Sequence, residues 1–111
     1  MGVKGDAGEL LLFFYDELVK KGKNGVGTKD VLDASEWDGN RLNNAYHYLN
    51  DLGILKGIGS LGNIQGAHNF WVMRLLPDAI DIIEDQPEFK RNFGFEVNLG
   101  LFKFSWGASE R

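Results

Sequence analysis

The stretch 38–53, DGNRLNNAYHYLNDLG, most constrains the fold, because it predicts one helix between two end signals. Asp38 is a favoured N-cap, since its carboxylate can accept hydrogen bonds from free N–H groups of the first turn. Gly53 is the residue type that commonly follows a helix end, where the backbone turns left-handed. At about 100° per residue, the apolar side chains share one face. These are Leu42, Ala45, Tyr46, Leu49 and Leu52.

The opposite face of this helix is polar and rich in amides. It carries Asn40, Asn43, Asn44, His47 and Asp51. Arg41 and Tyr48 lie on one flank. Amides together with one arginine and one histidine suggest a surface that recognises a ligand. An ordinary solvated face has the same composition, and at this point both interpretations stay open.

Composition indicates one globular domain. At 111 residues the chain is long enough for a single core, and its 43% hydrophobic and 25% charged residues are typical of soluble proteins. The absence of cysteine excludes disulfides and thiolate metal sites, and it fits a reducing compartment. The net charge of -4 argues against a broad basic surface for nucleic acid, although it permits a local patch.

The chain shows no obvious targeting signal. Its apolar run at 10–15 is too short for a signal core or a membrane span, and acidic residues flank it. We therefore expect a cytoplasmic protein with no membrane segment.

A first helix is predicted to begin at Asp6, which with Glu9 three residues later forms a variant of the capping box. Apolar side chains cover most of its circumference, and Gly22 is expected to end it. A helix this apolar needs burial on more than one side. A partner chain could supply the second side, which predicts a homodimer, or the C-terminal segment could cover it instead.

A short second helix is predicted at 29–34 with Thr28 as its cap, and a brief connection leads into the helix at 38–53. Two helices joined by such a turn make a helix-turn-helix. Trp37 lies in the connection and is expected to pack under the turn.

A hairpin and a further helix are expected next. Strand-like residues at 54–58 and 69–75 flank a glycine-rich loop at 59–68, which together predict a hairpin with a long loop. Pro77 suits the first turn of a helix that ends near Glu84.

The C-terminal tail alternates between apolar and polar residues. The alternating apolar set is Phe93, Phe95, Val97, Leu99 and Leu101, and the phase changes after Gly100. Such alternation predicts a half-buried strand. Because Pro87 is expected to prevent continuation of the preceding helix, we predict a domain at 1–86 and an aromatic β segment at 87–111. That segment would pack on the domain or on a partner.

The order of elements resembles a winged helix-turn-helix protein, over roughly residues 9–84. The most specific part is 45–55, AYHYLNDLGIL, which is similar to the end of a recognition helix followed by the first strand of the wing, the hairpin of this family. The stretch 76–81, LPDAID, resembles the start of the last helix, although the usual Thr and Gly are Leu76 and Ala79 here. The resemblance implies a mainly α fold with a small sheet (α+β), with a three-helix core, a wing and a fourth helix, to which the C-terminal β segment is added.

This resemblance also implies DNA binding by the third helix in the major groove. The residues that would carry it are Asn40, Arg41, Asn43, Asn44, His47 and Lys56. An Asn amide can pair with adenine and an Arg with guanine. Formal charges cancel over 38–56, and the loop 59–68 has no Lys or Arg, so a monomer should bind weakly. The densest basic group could contact the DNA backbone or be an ordinary helix end: Lys20, Lys21, Lys23 and Lys29.

Other motifs give little support to an enzyme or a cofactor site. The stretch 57–62 matches G-x-G-x-x-G, but no helical pattern follows it, as a dinucleotide site requires. His47 and His68 are the only histidines, and they lie on different predicted elements. We therefore expect no enzyme, cofactor or metal. The leading hypothesis is a small homodimeric transcription regulator that pairs through its first helix and C-terminal segment and binds double-stranded DNA. The alternative is a winged helix that serves only as a protein-interaction module.

Overall fold

The computed structural model describes residues 2–97. These residues form helices and an antiparallel sheet in a mixed α+β arrangement, which confirms the predicted class at that level. The helices are α1 (Val3–Tyr15), α2 (Thr28–Ala34), α3 (Gly39–Asp51), α4 (Pro77–Glu84) and α5 (Gln86–Phe93). The strands are β1 (Val26–Gly27), β2 (Leu55–Ile64) and β3 (Ala67–Leu75). A π-helical turn, Asp16–Lys20, extends α1.

The sheet has the strand order β1-β3-β2, so the short strand between α1 and α2 pairs with the second strand of the hairpin. Val26 lies opposite Val72, and Leu55 lies opposite Leu75, in antiparallel register. The hairpin turns at Gln65 and Gly66, where φ is 51° and 85°. β1 therefore ties the hairpin to the helical part of the chain.

The core lies between α1, α3 and the inner face of the sheet. Leu11, Phe14 and Leu49 are fully buried. Phe70 of β3 meets Phe14 edge-on at 6.2 Å and stacks on Tyr46 at 4.1 Å between ring centroids. Aromatic pairs of this kind contribute about 0.5–1.5 kcal/mol beyond their buried area. The core therefore fixes which face of α3 points outward.

Two helix predictions are confirmed by the structure. The Asp38 side chain accepts a hydrogen bond from the Arg41 N–H at 2.8 Å, and Gly53 has a φ of 72° just after α3. α4 begins at Pro77 and ends at Glu84, as expected.

Two predicted caps are wrong. α1 begins at Val3, so Asp6 lies inside the helix and its side chain is free to bind elsewhere. Gly27 precedes α2, and its N–H donates to the Asp30 carboxylate at 2.8 Å. The Thr28 hydroxyl instead donates to one carbonyl of β3 and accepts from one of its N–H groups, so it anchors that strand.

The predicted loop at 59–68 is largely strand, which corrects the sequence analysis. β2 continues to Ile64 and β3 already starts at Ala67. Register shifts between Lys56 and Gly57 and across the stretch 59–63 absorb the irregular pairing. Cross-strand hydrogen bonds therefore override the weak strand preference of glycine.

α5 was not predicted, and it replaces the first part of the expected β segment. Pro87 lies in the first turn of this helix, where its missing N–H breaks no helical hydrogen bond. The Asp85 side chain caps the helix, and Gly94 ends it with a φ of 84°. Phe93 is the last helical residue, so a strand does not begin there. The remainder of the predicted β segment, 98–111, lies outside the described residues.

α5 packs on α1 and covers part of its apolar surface. A Cβ atom added at Gly8 would lie 2.7 Å from the Cβ of Phe93, so the two helices approach closely. Phe89 and Phe93 lie in the same core as α1, and the predicted domain boundary after residue 86 falls at the start of α5. Apart from Val3, the apolar residues of α1 are buried within their own chain, so the expected dimer through this helix has no support among the described residues. Among residues 2–97, no helix has the length and apolar character needed to cross a membrane.

Candidate nucleic-acid interface

The exposed side of α3 carries a narrow polar stripe. Asn40, Asn44, His47 and Asp51 are exposed and follow one another at spacings of three or four residues. Such spacings place side chains on one side of a helix. The stripe is exposed because Leu42, Ala45 and Leu49 bury the opposite face.

Arg41, a predicted DNA contact, has an internal partner. Its Nε and Nη2 donate to the two carboxylate oxygens of Asp6 at 2.9 and 2.8 Å, and its guanidinium lies 4.5 Å from the centroid of the Trp37 ring. The hydrogen bond to Asp6 raises the pKa of the Arg41 guanidinium above its ordinary value. This side chain therefore joins α3 to α1.

Asn43, another predicted contact, holds the hairpin turn. Its Nδ2 donates to the Gly66 carbonyl at 3.2 Å, and its Oδ1 accepts from the His68 N–H at 2.7 Å. At Gly39, an added Cβ would lie 2.4 Å from the Gly66 carbonyl carbon, so glycine is required for this approach. The turn is therefore attached to the N-terminal half of α3.

His47 faces the hairpin as well as solvent. Its Nε2 lies 2.9 Å from the Nδ1 of His68, within hydrogen-bonding distance, and both residues are exposed. The two histidines are far apart in sequence, but the attachment of the turn to α3 brings them together.

Lys56 lies on the exposed face of the hairpin, directly opposite Arg74 in the β2–β3 register. Within residues 2–97, neither of these cations makes an ion pair. Arg74 was missed by the sequence analysis. Strict alternation would place it inward with Phe70 and Val72, but the register shift between Lys56 and Gly57 turns it outward.

The lysines of the predicted basic group are largely neutralised. Lys21 and Lys23 bind Glu17 at 2.7 and 2.5 Å, and Lys29 binds Asp33 at 2.7 Å. The cations of the hairpin are therefore better placed to meet phosphates.

The surface next to the C-terminal end of α3 is acidic. A groove of about 410 Å³ there is lined by Leu52 and Ile54 together with Asp78, Asp81 and Asp85. Carboxylates repel a phosphate backbone, so this end of α3 is unfavourable for nucleic acid.

The outer face of the sheet also carries an apolar patch, formed by Ile58, Trp71 and Met73. Their exposed fractions are 59%, 42% and 39%, and Ile58 lies directly opposite Trp71. The Trp71 ring packs over Gly25, where an added Cβ would lie 2.3 Å from two ring atoms.

Residues 57–62, which match G-x-G-x-x-G, lie within β2, and a turn and β3 follow them instead of a helix. In the part of the chain that the structure describes, no three His, Cys, Asp or Glu side chains are grouped to hold a metal. Compared with protein-family models, with curated proteins and with solved structures, the chain gives no match.

Proposed function

We propose that the chain is a winged-helix protein that binds double-stranded DNA, with α3 as recognition helix and the β2–β3 hairpin as wing. The observation that supports this most is topological. The strand between α1 and α2 pairs with the second strand of the hairpin that follows α3. The resemblance implies a helix-turn-helix followed by a hairpin, and β1 holds that hairpin against the helices.

The proposed base contacts come from the exposed stripe of α3. Asn40 and Asn44 present exposed amides in the N-terminal half, the part of a recognition helix that meets base edges. An Asn amide can donate to and accept from the edge of adenine. His47 lies on the same stripe, one turn further on. Arg41 and Asn43 act indirectly in this proposal, by holding α3 against α1 and against the hairpin.

The proposed phosphate contacts are Lys56 and Arg74. With two phosphate contacts, a plot of the logarithm of the association constant against the logarithm of the salt concentration should have a slope of about -1.8. Affinity should then drop roughly twelvefold between 50 and 200 mM salt, which is a modest salt dependence for a DNA-binding protein. The acidic net charge of the chain is consistent with weak binding by a single copy.

Fluorescence anisotropy with mixed duplexes at low salt tests the proposal. We expect the double variant Lys56→Ala, Arg74→Ala to bind about tenfold more weakly and with a flatter salt dependence. Asn44→Ala should lose discrimination between sequences, with about 1–3 kcal/mol less preference for the best site.

The matched control is Lys90→Ala, Arg91→Ala on α5, which removes the same formal charge. If it weakens binding as much as the hairpin variant, net charge rather than the hairpin determines affinity. If the folded wild-type protein binds no duplex at low salt, DNA binding is not its function.

A protein-interaction module is the second candidate, favoured by the exposed apolar patch of Ile58, Trp71 and Met73. Exposed apolar patches bordered by polar residues often mark interaction sites. Because Lys56 and Arg74 border this patch, the partner that fits it carries apolar and acidic side chains. A second copy of this chain offers such a surface at the groove lined by Leu52 and Ile54 together with Asp78, Asp81 and Asp85.

Sedimentation over a range of protein concentrations tests this second candidate. A dimer that Trp71→Ser converts to a monomer would support self-association through the sheet, with Val3→Ser as a control at another exposed apolar site. A wild-type monomer at every concentration would exclude the second copy as partner.

A further inference from the structure

We propose that His47 and His68 form a two-histidine site for a divalent transition-metal ion of the Cu²⁺ or Ni²⁺ kind. The Nε2 atom of His47 and the Nδ1 atom of His68 are 2.9 Å apart. Imidazole nitrogens are good ligands for these ions, and both side chains are exposed, so an ion can reach them from solvent.

The spacing of the two nitrogens fits a pair of ligands at a right angle. With metal–nitrogen bonds of about 2.0–2.1 Å, nitrogens 2.9 Å apart subtend roughly 90° at the ion. That is the angle between neighbouring ligands in the square-planar or tetragonal sites of Cu²⁺ and Ni²⁺. A tetrahedral Zn²⁺ site needs a wider angle, and therefore a separation of roughly 3.3 Å.

The backbone around the two rings is already held in place. The His68 N–H donates to Asn43 Oδ1 at 2.7 Å, and the His68 carbonyl accepts from the Thr28 hydroxyl at 2.9 Å. Asn43 precedes His47 by four residues on α3, so the same contact positions both imidazoles. Little conformational freedom of the backbone is lost when both rings bind one ion, which favours chelation.

Metal binding replaces the hydrogen bond between the rings. His47 would coordinate through Nε2 and His68 through Nδ1, while each ring carries its proton on the other nitrogen. Each ring must turn so that its lone pair points to the shared ion rather than to the other ring. Water would fill the remaining coordination positions. The ion would then link α3 to the hairpin.

Titration of Ni²⁺ into protein that carries no histidine tag tests this inference, because the chain has only two histidines. By calorimetry we expect one ion per chain, bound at least about tenfold more tightly than by His47→Gln or His68→Gln. Ni²⁺ should also raise the melting temperature of the wild type in step with its concentration, and EDTA should reverse the rise. Asn50→Gln, an exposed change on the same helix, should bind Ni²⁺ as the wild type does.

Proton NMR of the wild type gives a test that does not depend on the variants folding. The signals of both imidazoles should broaden in parallel before one equivalent of Ni²⁺ has been added. The inference is overturned if only one imidazole responds, if neither does, or if either single variant binds Ni²⁺ as tightly as the wild type.

Discussion

Arg41 is the predicted DNA contact whose replacement should most strongly affect stability. The change Arg41→Ala removes both hydrogen bonds to the Asp6 carboxylate, whose side chain is only 8% exposed. A buried carboxylate without its partner pays a desolvation penalty that no new contact offsets. The same change removes the guanidinium from the face of Trp37.

The size of the effect follows from these contacts. A hydrogen bond to a charged group contributes about 1.5–3 kcal/mol, and a cation–π contact adds about 0.5–1 kcal/mol. The Arg41 side chain is 41% exposed, so water screens the pair, and we take values near the low end. We expect Arg41→Ala to lower the free energy of unfolding by about 2–3 kcal/mol.

Urea unfolding followed by circular dichroism measures this change. For a domain of this size, with a slope of about 1–3 kcal/mol per molar urea, the midpoint should fall by roughly 0.7–3 M. Arg41→Lys keeps the charge but loses the planar two-point contact, so it should fall between wild type and alanine. Arg74→Ala, at an exposed arginine without an ion pair among the described residues, should stay within about 0.5 kcal/mol of wild type.

A double-mutant cycle with Asp6→Asn isolates the pair itself. The coupling energy between positions 6 and 41 should be at least about 1 kcal/mol. If Arg41→Ala unfolds at the same urea concentration as the wild type, or if the two changes are additive, the pair does not hold α1 to α3. If Arg41→Ala does lower stability as expected, a loss of DNA binding in this variant is not by itself evidence for a lost base contact.

Three further changes test other parts of the structure. Asn43→Ala should cost about 1–2 kcal/mol and speed amide exchange in the hairpin turn, measured by hydrogen exchange, because two hydrogen bonds to the turn are lost. Gly25→Ala should displace the Trp71 ring, lower the free energy of unfolding by about 1–3 kcal/mol and change the tryptophan fluorescence. Gly59→Ala, where an added Cβ meets only one atom at 3.9 Å, should leave the fluorescence unchanged. Burial alone would raise the pKa of Glu17, but hydrogen bonds and charges from two lysines outweigh burial and lower that pKa. The stability that this group contributes is therefore present above its unfolded pKa and is lost as the pH falls through its folded pKa. Acid unfolding of Glu17→Gln should therefore show a smaller loss of stability below about pH 5 than the wild type.

Local signals were sufficient to predict α3 and α4. Asp38 and Gly53 mark the two ends of α3, and its apolar spacing specifies the buried face. Pro77 marks the start of α4 in the same way. In each case the signals lie within a few residues of the structure that they specify, and no distant contact overrides them.

The C-terminal helix α5 was missed because its residues satisfy two periodicities. Phe93 belongs to an alternating series with Phe95 and Val97, which predicts a strand, but it also follows Phe89 at helical spacing. The capping by Asp85 and the contact with Gly8 of α1 favour the helix. The second of these contacts joins residues far apart in the sequence, so the pattern alone could not decide.

The candidate site shows the same limit more sharply. Asn43 and Asn44 are neighbours of the same type, and their amides have the same chemistry. One is engaged by the hairpin turn and the other is exposed. The difference arises from where the turn meets α3, which depends on the lengths of β2 and β3 and on the bulges between them. The apolar spacing therefore predicted which side of α3 points outward, but the sequence did not separate the amides that hold the hairpin from those that remain exposed.

The attachment of the hairpin to α3 has a consequence for any ligand of this surface. Because Asn43 fixes the turn to the helix, the exposed stripe and the outer face of the hairpin form one connected unit. A long duplex that contacts Asn44 while Lys56 meets its backbone needs both parts held in one relative position. If Asn43→Ala loosens the turn, DNA affinity should fall although Asn43 itself touches no base, and sequence preference should fall less than affinity. Asn40→Ala, at a proposed base contact, is the comparison. If Asn43→Ala loses sequence preference together with affinity, as expected for Asn40→Ala, the Asn43 amide contacts the bases directly.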